Sequence, residues 1–502
     1  MTASTLATNL CVDFKRLYVS PHLSELSVPR TRLQLEPKCK PRILSKAKLV
    51  TVAALSDPFV LEIAETLEDS VSSFLSSSSP TPLPLKKLRD SSSESLLARS
   101  WPSRKDEPFR FTDISFIKSS HIQAIASPPQ ELAFWNTFLD TKIPGLVIAD
   151  GYIVNALSNL SALPDGVFVG SLSNLSSEVI MRKILEVVSN FDGDLFSLLN
   201  GVGAPDFILV YVPEGCRLDS SLYLRHHPSN VMESESNNLP MSNPRVLVFV
   251  EKGGEIGIVE EYSSGDKSKC YWTNSVLEVV VGEAAKVNHS YIQTQSTTAT
   301  HIKWTSVRQE SGSSYKLVEV SCGGKLSRHN LHVQQVGPDT STELSTLHLS
   351  MADQTQDLHS RVVLDHPRGY SRQLHKCIVA HSQGQAVFDG NVRVNRFAQQ
   401  TDAGQLTRTL LLAPRATVNL KPNLQIIADD VKCSHGAAIS DLEEDQLFYF
   451  LARGIDAETA RRSLIFSFGA EVIESIPDVS LREKTKGSIR ELLNLGLATP
   501  SS

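Results

Sequence analysis

The heptapeptide VKCSHGA, residues 431–437, sets a thiol and an imidazole two positions apart and follows them with glycine. Thiolate and neutral imidazole are both ligands for iron or zinc. On a strand, Cys433 and His435 project from one face with Cβ atoms about 6–7 Å apart. That is too far for direct proton exchange and workable for two ligands of one cluster. The pair also fits a plain strand end with a packed thiol, because buried cysteine is common. Histidine is concentrated between His329 and His381, including His332 and His359. Single strand histidines are usually hydrogen-bonders, whereas a cluster of them offers a metal route. Asp353, Asp357, His359 and Arg361 share one face of an extended run, and suggest a second chemistry: a carboxylate–arginine site such as a β-helical carbohydrate-active enzyme would use.

Other chemistries lack their motifs. No GxxxxGK[ST] loop is present, so the chain binds no nucleotide in that way. GxGxxG opening a helix, HExxH and GxSxG are absent too. The net formal charge of −6 argues against a broad basic surface for nucleic acid. No apolar run approaches the roughly 18 residues of a membrane span. Seven cysteines without a CxxC pair suit a reducing compartment.

Charge is unevenly spread. Residues 1–53 hold nine Lys/Arg against Asp13, Glu25 and Glu36, a balance of +6 that leaves −12 for the rest. A basic, hydroxyl-rich, acid-poor start is the composition of an organelle transit peptide, expected here over 1–53. Asp57-Pro58 then opens a helix with Leu61, Ala64, Leu67, Val71, Phe74 and Leu75 as its apolar stripe. The tracts SSSSPTPLP (76–84) and SSSES (91–95) read as flexible linker. Further helices are expected over 130–139 and 178–188, giving a mainly helical region over 54–206.

From residue 207 the texture is β-branched and alternating, with runs such as VLVFVE, VLEVVVG and YKLVEVS. Strand-like segments begin near His301, Tyr315, His329, Leu344, His359, His375 and Val387, at nearly even intervals. This spacing without intervening helix predicts a solenoid or a sandwich. A β-helix core over 207–439 is favoured because Asn-Gly hairpin turns are lacking. Polar residues inside these strands (Gln334, His348, Arg361, His375) are assigned to the outward face. The segment 440–502 returns to helix: Ser440 to Glu443 has the form of a capping box, Gly454 suits a helix end, Asp456 caps a second helix, and a third spans 481–495. Aromatics such as Phe448 and Tyr449 would ordinarily be core.

The stretches VFDGNVRVNRFAQQTDAGQLTRTLLL (387–412) and KPNLQIIADDVKCSHGAAISDLEEDQLFYFLARGI (421–455) resemble the signature of the SufB/SufD scaffold family of iron–sulfur cluster assembly, the SUF system. EPFRFTDISFI (107–117), GGKLSRHNLHV (323–333) and SRQLHKCIVA (371–380) support it. The likeness is strong over about 240–480, weaker over 100–240, and absent before that. Thr401 stands where the B-type scaffold usually has cysteine, and HGA replaces its HEAT at 435–437, so the D-type subunit is the better match. Phe109, Ala438 and Ser440 depart from the D pattern without an evident loss of function.

The resemblance implies a right-handed parallel β-helix flanked by helical N- and C-terminal regions, acting as a non-catalytic scaffold. It implies pairing with a SufB-type subunit, docking of a SufC-type ABC ATPase, and a transient iron–sulfur cluster at the interface. His435 matches the D-subunit histidine offered to that cluster, with Cys433 beside it. Leu447, Phe450, Leu464 and Phe468 are expected to support ATPase docking. SUF chemistry behind a transit peptide implies the plastid stroma.

Overall fold

The computed structural model describes residues 57–75, 81–129, 143–189, 193–233, 237–264 and 268–497, all within one unit. The expected transit peptide, the helix expected at 130–139 and the first part, 76–80, of the linker expected at 76–84 lie outside these residues.

Two largely parallel sheets form the body, one of eleven strands and one of ten, and along the solenoid successive strands fall alternately in one and then the other. Each of about 7 coils thus contributes one strand to each sheet. The even intervals seen in the sequence are half-coils. Strand Thr300–Gln309 pairs in register with Leu326–Gln335, which pairs with Thr355–Leu364, and so on to Thr417–Ile426. The second sheet ends at Val431–Ser440, paired with Thr401–Leu411. Strand Trp272–Val281 is buried along its whole length, because helix Leu195–Gly203 packs on its outer face. Continuous apolarity is what a strand covered on both faces requires.

One corner of each successive coil carries a residue with positive φ: Gly253, Ala284, Gly312, Asp339, Arg368 and then Gln400. Each donates its backbone N–H to the residue just before the next corner: Ala284 to Ser311 at 2.8 Å, Arg368 to Gln399 at 2.8 Å, and Gln400 to Asp430 at 2.6 Å. Four of these six have side chains, so the stack holds them in a backbone region that glycine would occupy at less cost.

One apolar cluster runs the length of the solenoid interior, from Leu224, Val248, Ile258, Leu277 and Val279 to Leu358, Val362 and Val392. Buried polar groups share that interior. Glu260 is fully buried and accepts from Lys303 Nζ at 2.7 and 2.8 Å and from the Tyr262 hydroxyl at 2.8 Å, with His289 Nε2 3.1 Å away. Farther along, Glu319 lies 2.8 Å from both His329 Nδ1 and His348 Nε2. Burial alone would raise these carboxyls, but the facing charges outweigh it: Lys303 for Glu260, and His329 with His348 for Glu319. Both stay well below the usual carboxylate range. His348 and His375 therefore point inward, opposite to the expected face, while Gln334 and Arg361 are exposed as expected.

Helix Pro58–Leu75 starts where expected, with Phe59 N–H donating to Asp57 Oδ1 at 3.0 Å. Its most buried stripe is Val60, Ile63, Ala64, Leu67 and Val71, with Leu61 only half-buried. The expected linker at 91–95 belongs instead to helix Leu83–Leu96. Leu85, Leu88 and Leu96 are buried, and Ser92 Oγ sits 2.2 Å from the position a Cβ on Gly201 would take. Tertiary packing here overrides the weak helix propensity of serine.

Candidate functional site

The last coil is the place where chemistry and exposure coincide. Val431–Ser440 and Thr417–Ile426 are the final strands of their sheets, ten residues each, and neither contains a fully buried residue. The strand expected for VKCSHGA is present. Its inward face is set by its neighbour, where Thr401, Ala403, Gln405, Thr407 and Thr409 are all buried. The register partners Val431, Cys433, His435, Ala437 and Ile439 share that inward direction. Cys433 is half-buried against the apolar lining of the solenoid, and burial pushes its thiol up. His435 is exposed. The two candidate ligands thus sit on one face at the open mouth of the solenoid, the imidazole outside and the thiol part-way in. Among the described residues, no three His, Cys, Asp or Glu side chains converge as a complete metal site. The pair can supply part of a coordination shell.

Thr401, at the position of the B-type cysteine, is buried one coil below the mouth. The coil beneath the mouth is also unusual in composition. The hydroxyls of Thr401, Thr407 and Thr409 and the Oε1 of Gln405 are buried with no hydrogen-bond partner. Sequence reading misses this row because an alternating Thr-x-Ala-x-Gln-x-Thr pattern looks like an outward face. The usable signal is the alternation itself, not its polarity.

The alternative carbohydrate site does not assemble for polymer binding. Asp357 is fully buried, ion-paired to Arg328 and accepting from the Thr112 hydroxyl at 2.7 Å. Arg328 in turn stacks over Phe109, 4.0 Å from the ring centroid. The EPFRFT segment is therefore a strap that closes over this carboxylate.

Three helices, Glu444–Leu451, Ala457–Ile473 and Val479–Leu497, follow the mouth. Asp456 caps the second as expected, accepting from Thr459 N–H at 2.9 Å, and Gly454 turns with φ 77°. The expected capping box does not form. Ser440 ends the strand, and Glu443 occupies the N-cap without capping a backbone N–H, its carboxylate accepting instead from Gln446 Nε2 at 3.0 Å. Ile465, Val472 and Ile473 pack on Val320, Leu347 and Ile378 of the sheet. Lys376 reaches from the sheet to the carbonyl of Phe468 at 2.8 Å and lies 4.3 Å from its ring centroid. Of the expected docking residues, Leu447, Phe450, Leu464 and Phe468 are all half-buried. On the first of these helices the exposed large apolar side chains are Phe448 (71%), Tyr449 (55%) and Leu451. No helix among the described residues is long and apolar enough to cross a membrane.

Two family models match the chain: the SUF system FeS cluster assembly, SufBD core domain, over residues 231–468, and the SufBD protein N-terminal region over 68–224. The second begins in the first described helix, earlier than the sequence likeness was expected to reach. Relatives include the chloroplastic protein ABCI7 of Arabidopsis thaliana, 60% identical over 92% of this chain and 97% of the relative. A SufBD family iron–sulfur cluster assembly protein of Synechocystis is 36% identical, covering 77% of this chain and 86% of its own length. The iron–sulfur cluster assembly protein SufD of Escherichia coli is 28% identical over 80% of this chain and 91% of its own.

Proposed function

This chain belongs to the SufBD family of iron–sulfur cluster assembly proteins, and from that premise we propose that it is a non-catalytic D-type scaffold subunit of a plastid SUF machinery. The observation that carries the reading is the bare final coil, with His435 exposed at its mouth. Long edge strands with free backbone groups are a liability unless something covers them. A SufB-type partner that brings its own strand edges would cover them and enclose His435 and Cys433 at the joint. The nascent cluster is cargo, held between the subunits. His435 offers it a neutral imidazole, and Cys433 becomes a ligand only on losing its proton.

The C-terminal helices are the docking place for a SufC-type ATPase. Phe448, Tyr449 and Leu451 make the contact, supported from beneath by Leu447 and Phe450, while Leu464 and Phe468 lean on the solenoid. Motion imposed on these helices would reach the sheet through Lys376 and Phe468. The chloroplastic relative and the basic segment 1–53 together support import into plastids with removal of that segment. A stromal protein whose mature N-terminus, read by mass spectrometry, was still Met1 would refute the import reading.

The central test is His435→Ala in a complex co-expressed with its B-type and ATPase partners and purified without oxygen. Assembly should be normal and iron and sulfide content should fall. Normal content in a fully assembled variant complex would remove His435 from the mechanism.

A further inference from the structure

We propose that Gln405 is a positioning residue for His435. Its Oε1, which has no partner in the structure, would accept a hydrogen bond from one ring nitrogen of His435 once the exposed imidazole turns onto it, fixing the tautomer and leaving the other nitrogen's lone pair facing out of the mouth. The two residues are register partners on adjacent strands, and both lie on the inward face. Strand spacing sets their backbones about 4.8 Å apart.

The amides below them already run in one direction. Gln373 Nε2 donates to Ser360 Oγ at 2.6 Å, and Gln405 Nε2 donates to Gln373 Oε1 at 2.8 Å. Each amide spends its N–H within the coils already built and keeps its oxygen for the coil above. Gln373 Oε1 is satisfied in that way, and Gln405 Oε1 is left buried with no partner. A buried acceptor without a donor costs about 1–3 kcal/mol, so a donor one rung up would settle on it.

The opposite sheet supplies no competing donor at this level. The opposite sheet presents Gly390, with Gln405 Nε2 only 2.4 Å from where its Cβ would be, and then Pro422 in the next coil. Neither has a side-chain donor. Along its own strand the inward neighbours are Ala403, which has none, and Thr407, whose hydroxyl is also buried without a partner and is the competing donor. His435 is the donor on the rung that the chain of amides faces. A partner that orients the far side of a ligating imidazole commonly sets both its tautomer and its aim. This also gives a role to Gly390 and Gln405, two residues of the 387–412 stretch that the scaffold reading leaves unused.

The proposed hydrogen bond does not require the cluster, whereas its consequence for loading rests on the scaffold reading above. The test is nitrogen NMR of histidine-labelled full chain, with the His435 signals assigned by their absence in His435→Ala. The unaltered chain should show one neutral tautomer. Gln405→Leu should give a mixture, Gly390→Ala should do the same by displacing the amide, and Gln405→Glu should restore a single form. A tautomer population unchanged by Gln405→Leu overturns the inference. In the assembled complex, Gln405→Leu should weaken iron binding about 10–100-fold, with recovery in Gln405→Glu. Unchanged loading beside a released tautomer overturns the positioning role. Loading that survives His435→Ala instead removes His435 from the mechanism and leaves the hydrogen bond itself untouched.

Discussion

At the upstream end of the solenoid, each sheet is closed by a short antiparallel strand. Phe168–Ser171 lies against Ile208–Val212, and Tyr152–Ile153 lies against Gly145–Ala149. The outer face there is covered by helix Leu195–Gly203, with Trp101, Phe196 and Trp272 packed edge to face. At the downstream end the sheets stop at two strands of ten residues, and neither is fully buried at any position. The same problem, a free sheet edge, is solved internally at one end and left unsolved at the other. A short antiparallel strand offers little for another chain to extend. Substitutions upstream should therefore act on stability, and substitutions downstream should act on association.

The largest effect is expected from Trp272→Ala, which empties a fully buried aromatic site in the upstream cluster. Loss of such a side chain costs about 3–5 kcal/mol, measurable by urea unfolding. An upstream end that tolerated the change within about 1 kcal/mol would break the contrast.

Acid sharpens it. Burial pushes the His226 imidazole down to about 3 from 6.5. The unfolded chain takes up that proton near pH 6.5 and the folded chain does not. Stability is then complete above about 6.5 and falls as the pH drops toward 3. The decline is about 1.4 kcal/mol per pH unit for this one group. Unfolding free energies at pH 7, 6, 5 and 4 give the slope, and His226→Phe should flatten it. A slope unchanged by that substitution would move the acid sensitivity elsewhere.

Next comes the docking face. Removal of the segment 441–502 would strip Ile465, Val472 and Ile473 from the sheet and confuse docking with misfolding, so paired surface changes are the cleaner probe. Phe448→Asp with Tyr449→Asp should weaken ATPase association by about 2 kcal/mol or more, roughly 30-fold, without shifting the melting temperature. Full-strength association in the double variant would place the docking face elsewhere.

The smallest effect on the isolated chain is expected at Ile439, 51% exposed in the last strand. Ile439→Asp should change stability by under about 0.5 kcal/mol while weakening pairing with the B-type partner. Equal pairing in a titration of the two subunits would argue that this edge is not the interface.

Much of the architecture is legible in sequence because coil length imposes a period that survives there. The VKCSHGA strand is legible too, from its place after a run of half-coil spacings. What cannot be read is the direction of polar side chains. His348, His375, Gln405 and Thr407 break the rule that inward means apolar, and only their surroundings across coils reveal it. Helix Leu83–Leu96 is hidden for a related reason. Serines that look like linker are helical because Ser92 meets Gly201, a contact far away in sequence. Phe448 and Tyr449 mislead in the opposite sense, as aromatics that would normally be covered.

The stacked left-handed corners act as a gauge of length. Because each corner bonds to the turn that follows, a stray insertion must bulge outward as a loop, and the rod can grow or shrink only in whole steps of about 4.8 Å. Removing one coil between the helix-bearing sheet segment and the mouth would shift the docking helices toward the partner edge by one such step. Under the proposed scaffold role, the distance over which an ATPase stroke would act is thus quantised by the number of corners.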